Sequence, residues 1–278
     1  MKNDPLHDII NNMSKPELVL SNITSFFLGR VETVFENAKK YGFKYLEIIP
    51  YRWINPLEIL DFEKKYGVEV AGIHMPVWWK KSLGKQINDQ NTLLDKLFTL
   101  LWAFYLGPAA ASPGMLLASI LQAKKPYLLF HSDVIDEMDA ELANILEKFQ
   151  VLIENIPYHP AIPRFYWDPV TIKTSVARHG FSAGLVFDLG HFNQSREKLP
   201  DLNLFDTYQK IAPEVIHISY NSQFIHTLPN EKEREELKQL LKIHAPKYIV
   251  IETNPLVSIK KGKQMIDKIL SEVYPAPS

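Results

Sequence analysis

Short apolar runs recur along the chain, each separated from the next by a stretch with helical spacing. The runs Leu18–Thr24, Tyr45–Tyr51, Val68–Val77, Tyr127–Ser132, Val151–Ile156, Gly184–Leu189, Val215–Tyr220 and Tyr248–Thr253 read as strands. They are nearly continuous in apolar residues, as strands buried on both faces of a parallel sheet are. Between them, Val31, Val34, Phe35 and Ala38 share one face of a helix over Val31–Tyr41, and Gly42 follows as a stop signal. Leu57–Tyr66 ends at Gly67 in the same way. Asp136–Phe149 and Glu231–His244 read as further helices, the latter with Leu237, Leu240 and Leu241 on one stripe. Eight strands alternating with helices imply parallel pairing through right-handed crossovers.

Seven of these runs stop at a residue able to bind a metal or move a proton: Glu47, His74, His131, Glu154, Asp188, His217 and Glu252. In a (β/α)8 barrel the active site lies where the strands end, so such residues would all point at one mouth. A doubly wound open sheet is the competing architecture, but it gathers ligands at one switch point. The expected fold is therefore α/β, a (β/α)8 TIM barrel with a metal site at the C-terminal face of the strands. One barrel of ~250 residues would use nearly all of the 278 present. No linker, low-complexity tract or internal repeat interrupts it, so residues 1–278 are expected to form a single domain.

Composition narrows the chemistry. A net charge of −1 offers no global attraction to nucleic acid, and the absence of cysteine excludes disulfides, thiolate zinc sites and thiol nucleophiles. Met1–Met13 mixes Lys2, Asp4, His7 and Asp8 with a few apolar residues and lacks the apolar core of a signal peptide, so a cytoplasmic location is expected. Leu97–Ala123 carries no charge at all. Gly107-Pro108 and Pro113-Gly114 break it into two pieces, too short to span a membrane. The reading is a long helix, a turn of small residues and a second helix. Its apolar residues go almost all the way round the first helix, which either packs wholly within the chain or buries itself in a partner, giving a homodimer.

Glu154, Asp188, His217 and Glu252 make an oxygen-rich set that suits Mn²⁺ or Mg²⁺ and also accepts Zn²⁺ or Co²⁺. His74 and His131 end the third and fourth strands beside Glu154, and the trio could hold a second metal with Glu154 bridging. His191, three residues beyond Asp188, is a ligand or a substrate contact. A lone histidine is more often a hydrogen-bonded structural residue, and His7, His159, His179 and His244 are read that way. Trp78-Trp79 after the third strand and Trp167 after the fifth offer aromatic faces for a small-molecule pocket, or simply pack their loops.

From Phe35-Glu36-Asn37-Ala38 through Leu46-Glu47, Ile73-His74-Met75-Pro76 and Phe187-Asp188-Leu189-Gly190-His191 to Val250-Ile251-Glu252-Thr253, the chain resembles the xylose isomerase-like barrel superfamily. That superfamily includes sugar isomerases and epimerases and the endonuclease IV-type enzymes (AP endonuclease family 2). The resemblance implies that Glu154, Asp188, His217 and Glu252 are the shared metal quartet, and that His74 and His131 match two histidines holding a further zinc in the endonucleases. It also exposes departures. The nucleases complete a third zinc with an Asp-x-His that here reads Phe224-Ile225-His226, leaving His191 and His226 without a third ligand. Their glycine-rich loop after the bridging glutamate is replaced by Asn155-Ile156-Pro157-Tyr158-His159-Pro160. These departures favour the small-molecule branch. The expected activity is isomerisation or epimerisation of a sugar or related hydroxy-carbonyl compound through an enediolate, with Glu154 and Glu252 moving protons. One Mn²⁺ or Mg²⁺ would serve it. The alternative is an endonuclease IV-type metallohydrolase with two or more Zn²⁺ that cleaves DNA at abasic sites. A catalytically silent barrel that binds a ligand or partner through Leu97–Ala123 is the third reading.

Overall fold

In a closed barrel, every strand pairs with its neighbours in chain order and the last returns to the first. The computed structural model of this chain has that topology. It describes residues 14–25, 30–75, 96–97, 100–101, 104, 106, 108–137, 140–178, 182–219, 227–254 and 256–275. The strands are β1 (Glu17–Ser21), β2 (Tyr45–Ile48), β3 (Glu69–His74), β4 (Tyr127–His131), β5 (Gln150–Glu154), β6 (Gly184–Asp188), β7 (Val215–Ile218) and β8 (Tyr248–Ile251). All pair in parallel, and β1 meets β8 from Glu17↔Tyr248 to Leu20↔Ile251.

Side chains alternate between the two faces of each strand. Leu18, Leu20, Leu46, Ile48, Leu128, Phe130, Val151, Ile153, Leu185, Phe187, Ile216, Ile218, Ile249 and Ile251 face outward into the layer shared with the helices. Val19, Ala71, Tyr127, Leu129, Leu152, Val186, Val215 and Val250 fill the barrel interior, with Tyr45 and Tyr248 against them. Two residues beyond the last interior position of β4 to β8 stand His131, Glu154, Asp188, His217 and Glu252. Period two therefore sends all of them inward. Strand β3 departs from this rhythm. Leu46 pairs with Val70 but Glu47 with Gly72, so Ala71 is an extra residue at a bulge. The bulge lets Val70 face out while His74 still faces in.

The helices form as their spacing predicts, with differences at their ends. α1 (Val31–Tyr41) buries Val31, Val34, Phe35 and Ala38, and α2 (Pro56–Tyr66) starts at an Asn55 cap whose side chain accepts from Leu57 N at 3.2 Å. Both stop at a glycine in the left-handed region, Gly42 and Gly67 (φ 73° and 65°). Fully burying Phe35 or Val34 stabilises this packing by about 1.5–3 kcal/mol each. The small-residue turn is shorter than its sequence suggests. Pro108–Ala110 is a 3₁₀ turn, and α3 (Ala111–Ile120) runs through Pro113-Gly114. Proline is tolerated there because first-turn amides have no intrahelical acceptor. After β4, Ser132–Glu137 is 3₁₀ and only Ala140–Leu146 is α-helical (α4).

The remaining helices are α5 (Arg164–Trp167), α6 (Pro169–Arg178), α7 (Leu189–Lys198), α8 (Leu204–Ile211), α9 (Glu231–Ile243) and α10 (Ile259–Val273). Among the described residues no helix is long and apolar enough to cross a membrane. Leu97, Leu100, Leu101, Phe104 and Trp53 are exposed, and the Phe104 and Trp53 rings meet edge-on at 5.4 Å.

Candidate metal centre

Each strand ends where its inward side chain becomes polar, and there the sheet ladder gives way to side-chain clamps. Asn155 donates to the Asp188 carbonyl (3.1 Å) and accepts from Asp188 N (3.0 Å), tying the end of β5 to the end of β6. Asn22 ties β1 to β2 in the same way through Ile49, at 3.0 and 2.8 Å. Asp188 also caps α7, accepting from His191 N at 2.6 Å, and Ser219 Oγ donates to it at 3.0 Å. Gly190 makes this closeness possible, since a Cβ there would lie 2.0 Å from the Ser219 carbonyl oxygen.

Two groups of metal-capable side chains result. Glu154, Asp188, His217 and Glu252 are all buried, with one ligand atom from each within 4.8 Å of the others. His74, His131 and Glu154 form a second group, so Glu154 belongs to both. His217 Nδ1 lies 3.0 Å from Glu154 Oε1 and 3.1 Å from Glu252 Oε2. His74 Nε2 and His131 Nε2 approach Glu154 Oε2 at 3.2 and 3.3 Å, yet that oxygen is buried and accepts no properly aligned hydrogen bond. A buried carboxylate oxygen facing two imidazoles, with no hydrogen bond of good geometry, is what a divalent cation would satisfy. The residues fit such an ion.

Tautomers are set by neighbours that can only accept. His74 Nδ1 donates to the Met75 carbonyl (2.9 Å) and His191 Nδ1 to the Asn155 carbonyl (2.8 Å), which leaves Nε2 of each as the nitrogen with a free lone pair when the ring is neutral. His191 lies in neither group, but its ring sits 6.2 Å from that of His131.

Protons and carboxylates compensate one another in this cage. Burial opposes charging His217, but Glu47, Glu154 and Glu252 outweigh it and hold its pKa well above the usual imidazole value. Burial works against His74 too, and the Glu154 carboxylate beside it raises its pKa to about 9. Burial would raise Glu154, yet His217, His131 and His74 hold it well below the ordinary range. Asp188 is pushed up by burial, with His191 opposing. The imidazolium protons supply positive charge where a cation would otherwise sit.

The structure thus brings together Glu154, Asp188, His217 and Glu252, and sets His74 and His131 beside them. Trp167 is buried and packs edge-on against Tyr158 at 5.1 Å, so its ring is largely used in holding its loop. Trp78, Trp79, Phe224 and His226 lie outside the described residues. Glu47 was visible in the sequence as a strand end but was given no role. It is fully buried, 3.1 Å from His217 Nε2, and accepts from the Tyr127 hydroxyl at 2.7 Å.

No family model matches this chain. A probable ketose 3-epimerase of Synechocystis sp. is 43% identical to it over 47 residues, a stretch that is 16% of this chain and 16% of that relative. Among solved structures, a xylose isomerase domain containing protein from Salmonella typhimurium LT2 superposes with a TM-score of 0.57 at 12% identity, over 94% of this chain and 98% of that one. The IOLI protein, solved with a binding zinc atom, gives 0.57 at 13% over 93% and 98%. AP endonuclease, family 2 from Brucella melitensis gives 0.56 at 13% over 91% and 98%. At such identities the likeness shows the fold alone, and the chain shares the TIM-barrel fold of these proteins.

Proposed function

We propose that the protein is a divalent-metal-dependent isomerase or epimerase acting on a sugar or related hydroxy-carbonyl compound. The observation that carries this reading is the convergence of four buried ligand-type side chains, Glu154, Asp188, His217 and Glu252, where the barrel strands end. Three carboxylates and one imidazole suit Mn²⁺ or Mg²⁺ when one ion is held, and Zn²⁺ when both groups are filled. When bound, the ion would polarise the substrate's carbonyl and adjacent hydroxyl, acidify the carbon-bound proton and spread the enediolate charge. Glu154 and Glu252 come from β5 and the end of β8, from different sides of the ring. One removes the proton and the other returns it on the opposite side of the carbon. Asp188, fixed by Ser219 and the His191 amide, serves as a ligand. His74, His131 and His191 orient substrate hydroxyls. The local likeness to a probable ketose 3-epimerase supports a ketose as substrate.

The test is solvent exchange. Ketoses incubated in D₂O with Mn²⁺-loaded protein should gain deuterium beside the carbonyl and yield an isomer or epimer, read by proton NMR. A second reading is a family 2 AP endonuclease-type hydrolase, favoured by the second group, His74, His131 and Glu154, sharing its carboxylate with the first. Two or more zinc ions per chain with substantial nicking of abasic duplex DNA, and no exchange on any ketose, would select that reading and overturn the first.

A further inference from the structure

Among the inward-facing residues at the barrel mouth, Glu47 belongs to neither group of candidate ligands. Its carboxylate is nonetheless wholly buried, which is costly unless the charge is held by hydrogen bonds or a cation. Its Oε2 is shared between two partners, His217 Nε2 at 3.1 Å and the Tyr127 hydroxyl at 2.7 Å. The other nitrogen of the same imidazole, Nδ1, faces Glu154 and Glu252. The ring therefore stands as a partition, with Glu47 on one side and the ligand group on the other.

This arrangement differs from that of the other histidines. In His74 and His191 a backbone carbonyl holds Nδ1–H and leaves Nε2 as the nitrogen with a lone pair when the ring is neutral. For His217 carboxylates face both ring nitrogens, and the nitrogen that meets the other ligands is Nδ1. A neutral imidazole offers a lone pair on one nitrogen only, and the partner of the other nitrogen decides which. With an ion at Nδ1, Glu47, an acceptor with no proton of its own, is the group placed to hold the proton on Nε2.

The support for Glu47 is built into three adjacent strands. Glu47 pairs in register with Gly72, and Gly72 with Tyr127. A Cβ on Gly72 would lie 2.1 Å from the Tyr127 ring, so only glycine lets the phenol pass over β3 and reach β2. Tyr127 is itself fully buried in the barrel interior, where its hydroxyl needs an acceptor.

We propose that Glu47 is the positioning residue for His217: it holds the ring as the Nε2–H tautomer, aims the Nδ1 lone pair at the ion bound by Glu154, Asp188 and Glu252, and is itself held by Tyr127 passing over Gly72. This rests on the metal-dependent reading above and adds to it a residue outside the ligand set. Loss of a group that orients a ligating histidine typically lowers metal affinity ~10–100-fold.

The experiment is a Co²⁺ titration of the full-length protein, following the visible absorption band, with circular dichroism of the metal-free protein as the check on folding. Glu47→Ala should weaken Co²⁺ binding by about 10–100-fold and shift the band. Glu47→Gln, which keeps a side-chain oxygen to accept from Nε2–H, should recover most of that loss. Tyr127→Phe, which preserves the ring's packing, should weaken binding in the same direction by less. In the Zn²⁺-loaded wild type, long-range ¹H–¹⁵N spectra should show the His217 proton on Nε2. Glu47→Ala and Glu47→Gln that both fold and bind Co²⁺ as tightly as wild type, or a His217 proton on Nδ1, overturn the positioning role while leaving the metal reading intact. If Glu47→Ala does not fold, Glu47→Gln, Tyr127→Phe and the wild-type spectrum still decide. Wild type that binds no Co²⁺ or Zn²⁺ overturns both.

Discussion

Replacing Gly190 with alanine adds one methyl group at the point where α7 leaves β6, and the structure has no room for it. The new Cβ would stand 2.0 Å from the Ser219 carbonyl oxygen and 2.6 Å from its hydroxyl, whereas ordinary contact begins near 3.4 Å. The start of α7 and the segment after β7 must therefore separate by about 1.4 Å, the difference between 3.4 and 2.0 Å. Ser219 is then drawn away from Asp188, a buried carboxylate that it touches with both oxygens in reach, at 3.0 and 3.2 Å. Overpacking costs about 1–3 kcal/mol, and a lost hydrogen bond to a charged group about 1.5–3 kcal/mol. For a chain of this size each kcal/mol lowers Tm by roughly 2–4 °C, so Gly190→Ala should melt roughly 5–24 °C below wild type. Ser219→Ala removes the hydrogen bond without the clash and should fall by about half as much. Thermal unfolding followed by circular dichroism, with metal binding measured alongside, gives the answer. A Gly190→Ala protein that melts with the wild type and binds metal equally well would refute the close-approach argument.

Glu154→Gln and Glu252→Gln keep side-chain shape but remove the base, so each should lower turnover by ~10²–10⁴-fold, with loss of metal adding to this; wild-type activity in either would sink the two-carboxylate mechanism. In metal-free protein His74 has a pKa near 9 against 6.5 unfolded. A folded pKa above the unfolded one contributes stability that is full below pH 6.5 and is lost as pH rises through about 9. The chelated protein should therefore lose Tm between pH 6.5 and 9 by more than His74→Gln does, and equal losses would exclude the effect. Exposed Leu97, Leu100, Leu101 and Phe104 beside Trp53 form an apolar face suited to a two-fold contact. Light scattering should give twice 32.1 kDa at micromolar concentration, and a mass of 32.1 kDa would refute the dimer.

The strands and their polar ends were legible in the sequence because both signals are local: a run of apolar residues, then a residue two places past an interior position. The ends were read long in every case. Thr24, Tyr51 and Thr253 continue the apolar tract chemically, but the ladder stops where inward polar groups and the Asn22 and Asn155 clamps take over the backbone hydrogen bonds. Pro113-Gly114 looks like a break in the sequence, yet α3 runs through it, because proline breaks a helix interior but fits a first turn. Glu47 could be seen as a strand end, yet its link to His217 depends on a bulge at Ala71, a missing side chain at Gly72 and a ring that crosses from β4. None of these leaves a periodic trace. Trp167 shows the converse limit, since an aromatic near a barrel mouth looks the same in sequence whether it faces the cavity or, as here, packs on Tyr158.

The pairing of β1 with β8 has a consequence for how the protein is made. Glu17–Leu20 emerges from the ribosome early, but its partner Tyr248–Ile251 emerges only after more than two hundred further residues. Until then β1 and β7 are open edges, each a template for wrong pairing. Glu252, the last of the four candidate ligands, follows the closing strand directly. A nascent chain cut short of residue 248 would therefore have neither a sealed ring nor a full set of donors. Capture of an ion by all four would mark the moment at which translation has passed residue 252 and the hoop has shut. Metal uptake by all four would then act as a check that no chain cut short of residue 252 can pass.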